Sequence, residues 1–199
     1  VSAVTLATAL GYRKFEIAQS TLTMVNGFTR YSFIGLHPFS FITFNGQAVA
    51  QCDFYNMAIL NASGTSAGNW FEDCTLSTFT LGSGDFLLRC NLGGVTYTLP
   101  AASVTLRDCH AAATTGTGAR FDFGAAVANT TLASYNFQGC IELLNMGQSG
   151  TDNLILTGNG RLLLNSTTGP CIGGEIKLYG MWQIEGTYNV ANRPTITGD

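Results

Sequence analysis

The sequence predicts an all-β chain folded as a right-handed, single-stranded parallel β-helix with irregular rungs. Two observations carry this: a short phrase recurs with turn residues between its copies, and charge is scarce while glycine is abundant. The copies are Trp70-Phe71-Glu72-Asp73-Cys74-Thr75-Leu76, Phe86-Leu87-Leu88-Arg89-Cys90-Asn91-Leu92 and Thr105-Leu106-Arg107-Asp108-Cys109-His110-Ala111. Each has an apolar residue three places before the cysteine and another two places after it. With Phe71 in, Glu72 out, Asp73 at a bend, Cys74 in, Thr75 out and Leu76 in, the phrase makes two short strands meeting at a corner. A helix would scatter those apolar positions over different faces. Corners of this kind cannot hold alone, so copies must stack and bury their inward residues on one another.

Composition agrees. A chain of 199 residues suffices for one domain with a substantial core, and no linker divides it. Charged residues are 11% of the chain, against roughly 25% in an ordinary globular protein. The surface is therefore polar through Ser, Thr, Asn and Gly. The 24 glycines and only 4 prolines suit many tight corners in which ladder N–H groups must be kept. A net charge of −3 argues against a nucleic-acid partner. No run reaches the roughly 20 apolar residues of a membrane-spanning helix, and the opening residues do not read as a secretory leader. The first residue is Val1 rather than methionine, and the chain is read as a piece of a longer polypeptide.

In order, residues 1–10 are apolar and Ala-rich and fit either a strand or a short capping helix. Alternation predicts strands at residues 14–18, 21–25, 31–36 and 39–44, and Asn45-Gly46 marks a turn. Residues 1–45 are thus a cap and first rungs. Val49-Ala50-Gln51-Cys52-Asp53-Phe54 satisfies the cysteine spacing and reads as a fourth copy, opening a body that spans residues 46–186. Beyond residue 111 the period loosens. Strands are predicted at 119–123, 135–143, 153–157, 160–165, 174–180 and 181–186, each bounded by Gly or Asn, and Phe137 again stands three places before a cysteine, Cys140. Residues 187–199 lack alternation and read as a tail leading to a following segment.

The order of these later strands carries a resemblance. A Cys-bearing phrase, a small-residue stretch from Ala111 to Gly118, then Tyr135-Asn136-Phe137-Gln138-Gly139-Cys140-Ile141-Glu142-Leu143-Leu144-Asn145-Met146 precede Gly160-Arg161-Leu162-Leu163-Leu164-Asn165 and Cys171-Ile172-Gly173-Gly174-Glu175-Ile176-Lys177-Leu178-Tyr179-Gly180. This succession resembles the β-helical segments of tail proteins from tailed bacteriophages over roughly residues 68–186. The resemblance implies a virion structural protein, made in the bacterial cytoplasm and built into a tail appendage. It further implies a homotrimeric fibre or spike segment that meets tail or baseplate proteins and a host receptor or polysaccharide. A polysaccharide-degrading spike on the same solenoid is the alternative.

The chemistry-bearing residues are read as structural. No C-x-x-C occurs, and His37 and His110 lack ligand spacing with the cysteines. Cys52, Cys74, Cys90, Cys109 and Cys140 are expected inward as free thiols, several stacked on neighbouring rungs, because phage proteins fold in a reducing cytoplasm. His110 follows Cys109, but neighbouring strand residues face opposite sides, which excludes a nucleophile pair. Glycan-cutting solenoids use paired carboxylates, so Asp53, Glu72, Asp73, Asp85, Asp108, Asp122, Glu142, Asp152, Glu175 and Glu185 are the candidates, with Glu16 and Asp199 near the ends. Asp73, Arg89 and Asp108 share one rung position and predict an ion-pair ladder at about 4.8 Å spacing. Trp70, Tyr97, Tyr135 and Trp182 fit a rung interior or a subunit interface better than a sugar platform. The Asn61-Ala62-Ser63, Asn129-Thr130-Thr131 and Asn165-Ser166-Thr167 triplets are expected to be accidental sequons. No catalytic, cofactor-binding or metal-ligating residue is assigned, and no cofactor is expected.

Overall fold

The computed structural model describes residues 3–60, 65–77, 79–99, 103–114, 116–124, 129–148, 151–164, 169–186 and 194–198. One helix, Ala3–Ala9, precedes a parallel β-solenoid of about eight turns. Tyr31, buried below it, donates its hydroxyl to Thr8 Oγ1, which ties the helix to the first rungs. Of the two forms open to residues 1–10, the capping helix is the one adopted.

Three faces wind around one apolar core, and in the early rungs a small parallel sheet of Phe28–Thr29, Val49–Ala50 and Ser66–Ala67 stands before the corner into face A. Face A stacks Lys14–Ile17, Ser32–Gly35, Asp53–Tyr55, Trp70–Glu72, Phe86–Leu88 and Ser103–Arg107 in parallel register. It continues through the first halves of Thr131–Leu144, Asn153–Leu164 and Glu175–Glu185 and ends on Thr195–Gly198. Face B carries the short strands that follow each corner, among them Thr75–Leu76, Asn91–Leu92 and His110–Ala111. Face C stacks Phe79–Thr80, Thr96–Thr98 and Ala119–Asp122 beneath the same long strands.

The inward residue of each face A strand lies over its counterpart in the rung before. Phe15, Phe33, Phe54 and Phe71 form a pile of rings with centroids 5.4, 5.2 and 5.0 Å apart and planes within 15° of parallel. Leu87 and Leu106 extend the file, then Ser134, Leu156 and Leu178. Ser134 is fully buried, and its Oγ has no hydrogen-bond partner among the described residues.

The corner after face A explains the phrase. Asn56, Asp73, Arg89, Asp108 and Asn136 all have φ between 51° and 54°, the left-handed region that turns the chain sharply. Asn and Asp tolerate it because a short polar side chain can bond locally. The residue after each corner points inward: Met57, Cys74, Cys90, Cys109 and Phe137, all buried.

Two registers differ from the sequence-based expectation. Cys52 is not a fourth copy of the corner cysteine. Asp53 pairs with Trp70, so Cys52 falls beside Asn69 at the corner before face A, and Met57 takes the place of Cys74. Cys140 likewise lies a corner later, since His110 pairs with Gln138 and Phe137 occupies the Cys109 position. Both are still buried, but neither joins the stack.

Beyond residue 130 the strands lengthen, and glycines that the alternation assigns to strand boundaries lie inside them. Asn153–Leu164 is one 12-residue strand through Gly158 and Gly160, and Glu175–Glu185 one of 11 through Gly180. Gly139 has φ +117°, which bends the chain while the ladder continues. The end of the expected tail also joins the sheet, with Ile196 paired to Ile176; residues 187–193 and 199 lie outside the described residues.

Candidate functional site

All six cysteines are free and buried. Cys74, Cys90 and Cys109 form the expected stack, each sulfur 3.4 Å from the carbonyl of Phe54, Phe71 or Leu87 in the rung before. Burial between two neighbouring thiols pushes the Cys90 thiol well up, so it stays protonated and a poor nucleophile. His110 is exposed on the opposite side of its strand from Cys109.

Each described carboxylate has a bonding partner within the chain. Glu72 accepts from Trp70 Nε1 and from Arg89, and Asp73 accepts from Arg89 Nε and Nη2 at 2.8 Å each. Asp108 accepts from Asn136 Nδ2 at 2.8 Å, and its contact with Arg107 is a longer 3.8 Å. The expected ladder is therefore formed between Asp73 and Arg89, while Asp108 turns to a neutral amide. Asp53 is bonded by Ser32, and Asp122 by the Gly124 N–H and Asn145. Glu142 pairs with Arg120 and Glu185 with Arg161. Glu16 and Glu175 pair with Lys14 and Lys177, two residues along their own strands. Asp199 lies outside the described residues.

Asp85 and Asp152 are acids held inside. Asp85 is 1% exposed and accepts from Ser66 Oγ, from the Asn69 and Gly82 N–H groups and from Asn69 Nδ2. Asn69 in turn accepts the Cys52 N–H and donates to the Val49 carbonyl, so the cluster cross-links three rungs. Loss of solvation outweighs those donors and raises the Asp85 carboxyl above the ordinary carboxylate range. Asp152, 4% exposed, accepts the Thr130 and Gly147 N–H groups. Both acids anchor main-chain donors in the loops between strands, buried at Asn69, Gly82 and Thr130 and part-buried at Gly147.

The aromatic candidates divide. Tyr97 is buried and donates its hydroxyl to the Leu76 carbonyl at 2.9 Å. Trp70 stacks on Phe86 at 4.5 Å on the outside of face A. Trp182 reaches inward to Phe137, two rungs earlier, at 6.4 Å, while Tyr135 is exposed. Asn129 Oδ1 accepts the Thr151 N–H, so that sequon's amide is in use. The triplets at residues 61–63 and 165–167 lie outside the described residues.

The middle rungs of faces A and B differ outside, although the face A files also carry Lys14, Asp53, Glu72, Arg107 and Lys177, and the face B file runs from Phe41 and Ala58 to the exposed Met181. Outward on face A stand Trp70, Phe86, Thr105, Ala133 and Ile155 in one file, and Leu88 in the next. Outward on face B stand Thr75, Asn91, His110, Gln138 and Asn159. Over the last three of these a trough of about 530 Å³ opens, lined also by Ala111, Ala113, Gly139, Gly160 and Arg161. Its floor is main chain. A Cβ on Gly139 would lie 2.2 Å from the Ala111 carbonyl oxygen, and one on Gly160 would lie 1.9 Å from that of Gly139. The sequence places Gly139 inside one predicted strand and Gly160 at the start of another, and it does not show that Gly139 and Gly160 pair across neighbouring rungs, which is what forms the trough floor.

Among the described residues, no three His, Cys, Asp or Glu side chains stand close enough together to hold a metal ion. No helix among them is long and apolar enough to cross a membrane. Compared with known proteins, the chain matches no family model, no curated protein and no solved structure.

Proposed function

We propose that this chain is a structural segment of a bacteriophage tail fibre or spike, a stiff homotrimeric shaft or tip that holds an adhesive surface against the host. The observation that carries this is the uninterrupted face A ladder from Lys14 to Gly198. Ten stacked strands at about 4.8 Å make a rod on the order of 45 Å long, stiffened by in-register hydrogen bonds and filled core files. The resemblance of residues 68–186 to β-helical tail segments points to the same role. The apolar residues on the outside of face A's middle rungs, the Trp70–Phe86 pair, Leu88 and Ile155, suit lateral packing of copies around a three-fold axis, with the charged residues of the same face paired beside them. Weak attachment at each of three tips then sums through effective concentration.

A polysaccharide-cutting spike needs one carboxylic acid and one carboxylate across a groove, about 5–9 Å apart. The trough is lined by no Asp or Glu, and the outward acids are engaged with Arg, Lys, Ser, Trp or Asn. These two facts favour the adhesive role over the hydrolytic one. The test uses the chain with its flanking sequence restored. It should adhere to host cells without releasing reducing ends from their polysaccharide. Release of reducing ends that is abolished by changing Glu72, Asp73 or Asp108 would replace this function with the enzyme.

A further inference from the structure

The polar side chains outside this solenoid mostly bond one another. Arg30 donates to Gln51, Arg89 to Asp73, Asn136 to Asp108, Asn56 to the Gly35 carbonyl and Asn145 to Asp122. The outward file of face B breaks that habit from Thr75 and Asn91 onward, and the trough lies over its last three polar members. His110, Gln138 and Asn159 stand in one file on successive rungs, exposed, and no side-chain hydrogen bond engages any of them among the described residues. Their spacing of about 4.8 Å is comparable with the length of one pyranose ring.

Four further features narrow the ligand. The floor at Gly139 and Gly160 is bare backbone; their Cβ positions would collide with carbonyl oxygens of the rung before, so packing between rungs keeps both positions glycine and the floor free of side chains. Carboxamides present a donor and an acceptor side by side, the pattern that neighbouring sugar hydroxyls match. Arg161, the fixed charge on the lining, is held by Glu185 through Nε and Nη2, so little net charge is left to select an anion. The volume of about 530 Å³ falls inside the range of about 300–1,000 Å³ usual for small-ligand sites.

We propose that this trough is a binding site for a neutral saccharide, whose hydroxyl groups bond Gln138, Asn159 and His110 above the Gly139–Gly160 floor. The site rests on the adhesive half of the proposed function and gives that half its chemistry; it needs no particular oligomeric state.

The experiment is equilibrium binding of the chain, flanking sequence included, to soluble neutral hexasaccharides of glucose, galactose and N-acetylglucosamine. Side-chain amide resonances are followed by NMR alongside calorimetry. At least one hexasaccharide should bind and shift the Gln138 and Asn159 amide signals. The double variant Gln138→Ala/Asn159→Ala should weaken binding about tenfold or more, the loss of two hydrogen bonds. Thr75→Ala/Asn91→Ala, in the same file outside the trough, should leave it unchanged. Unshifted amides, equal binding by the double variant, or preference for an acidic saccharide or a peptide would overturn the site. If the chain adheres to host cells and the double variant adheres equally, the trough is wrong while adhesion stands. If the chain adheres to no bacterial surface, the adhesive function falls with it.

Discussion

Arg89 reaches back one rung and grips both carboxylate oxygens of Asp73, with Nε and Nη2 each at 2.8 Å, leaving Asp108 on the next rung to Asn136. The guanidinium holds the Asp73 carboxyl below the ordinary carboxylate range. With the folded pKa depressed, the associated stability is present above the unfolded value, near ~3.9, and is lost as pH falls through the folded one. In Arg89→Ala the Asp73 pKa read by NMR titration should rise toward the ordinary value. The change in stability should be small, because both side chains are about half exposed and solvent screens the pair.

Asp85 should show the opposite pH dependence. Its carboxyl is raised by burial, so the folded chain holds the proton more tightly than the unfolded one. That stability is complete below about pH 3.9 and declines as pH rises through the folded pKa. Thermal melts of the wild type and Asp85→Asn across pH 3–8 should show the wild-type advantage shrinking as pH rises. Asp85→Ala should cost about 1–3 kcal/mol at the acid end, where it strands the Asn69 and Gly82 N–H donors.

Two residues of one core file should respond in opposite directions. Phe71 lies between Phe54 and Phe79 at 5.0 and 5.3 Å, and Phe71→Ala should cost about 3–5 kcal/mol in urea unfolding. Ser134 stands between Leu106 and Leu156 with its hydroxyl unpartnered. Ser134→Ala should stabilise the fold by about 1 kcal/mol, since no hydrogen bond is given up with the hydroxyl.

The two kinds of glycine should separate equally well. A methyl on Gly46 meets nothing within 4 Å, so Gly46→Ala carries only the left-handed penalty of about 1–2 kcal/mol. Gly139→Ala adds a collision with the Ala111 carbonyl that only a backbone shift relieves. Its cost should be about 3 kcal/mol or more, and circular-dichroism melts of the two variants should differ accordingly.

The face A strands and their corner were legible because the phrase around Cys74, Cys90 and Cys109 alternates faithfully and its corner residue, Asp or Arg, stands directly before the inward cysteine. Cys52 misleads because Val49 and Phe54 meet the same spacing one corner early. Aligning on the aromatic residue would have put Phe54 with Phe71 and Met57 with Cys74, as the register does. Strand continuity through Gly158 and Gly180 was not legible, because glycine inside a bent strand and glycine ending one look alike in sequence. The trough draws its lining from three rungs, and so it appears only when rungs are laid over one another.

Sedimentation equilibrium of the chain with its flanking sequence, at micromolar concentration, tests the structural role most directly. A trimeric shaft packed through face A predicts three times the chain mass, falling to one chain mass in Trp70→Lys/Leu88→Lys, whose outward charges would sit on that face. A wild-type chain that sediments as a monomer would contradict the account.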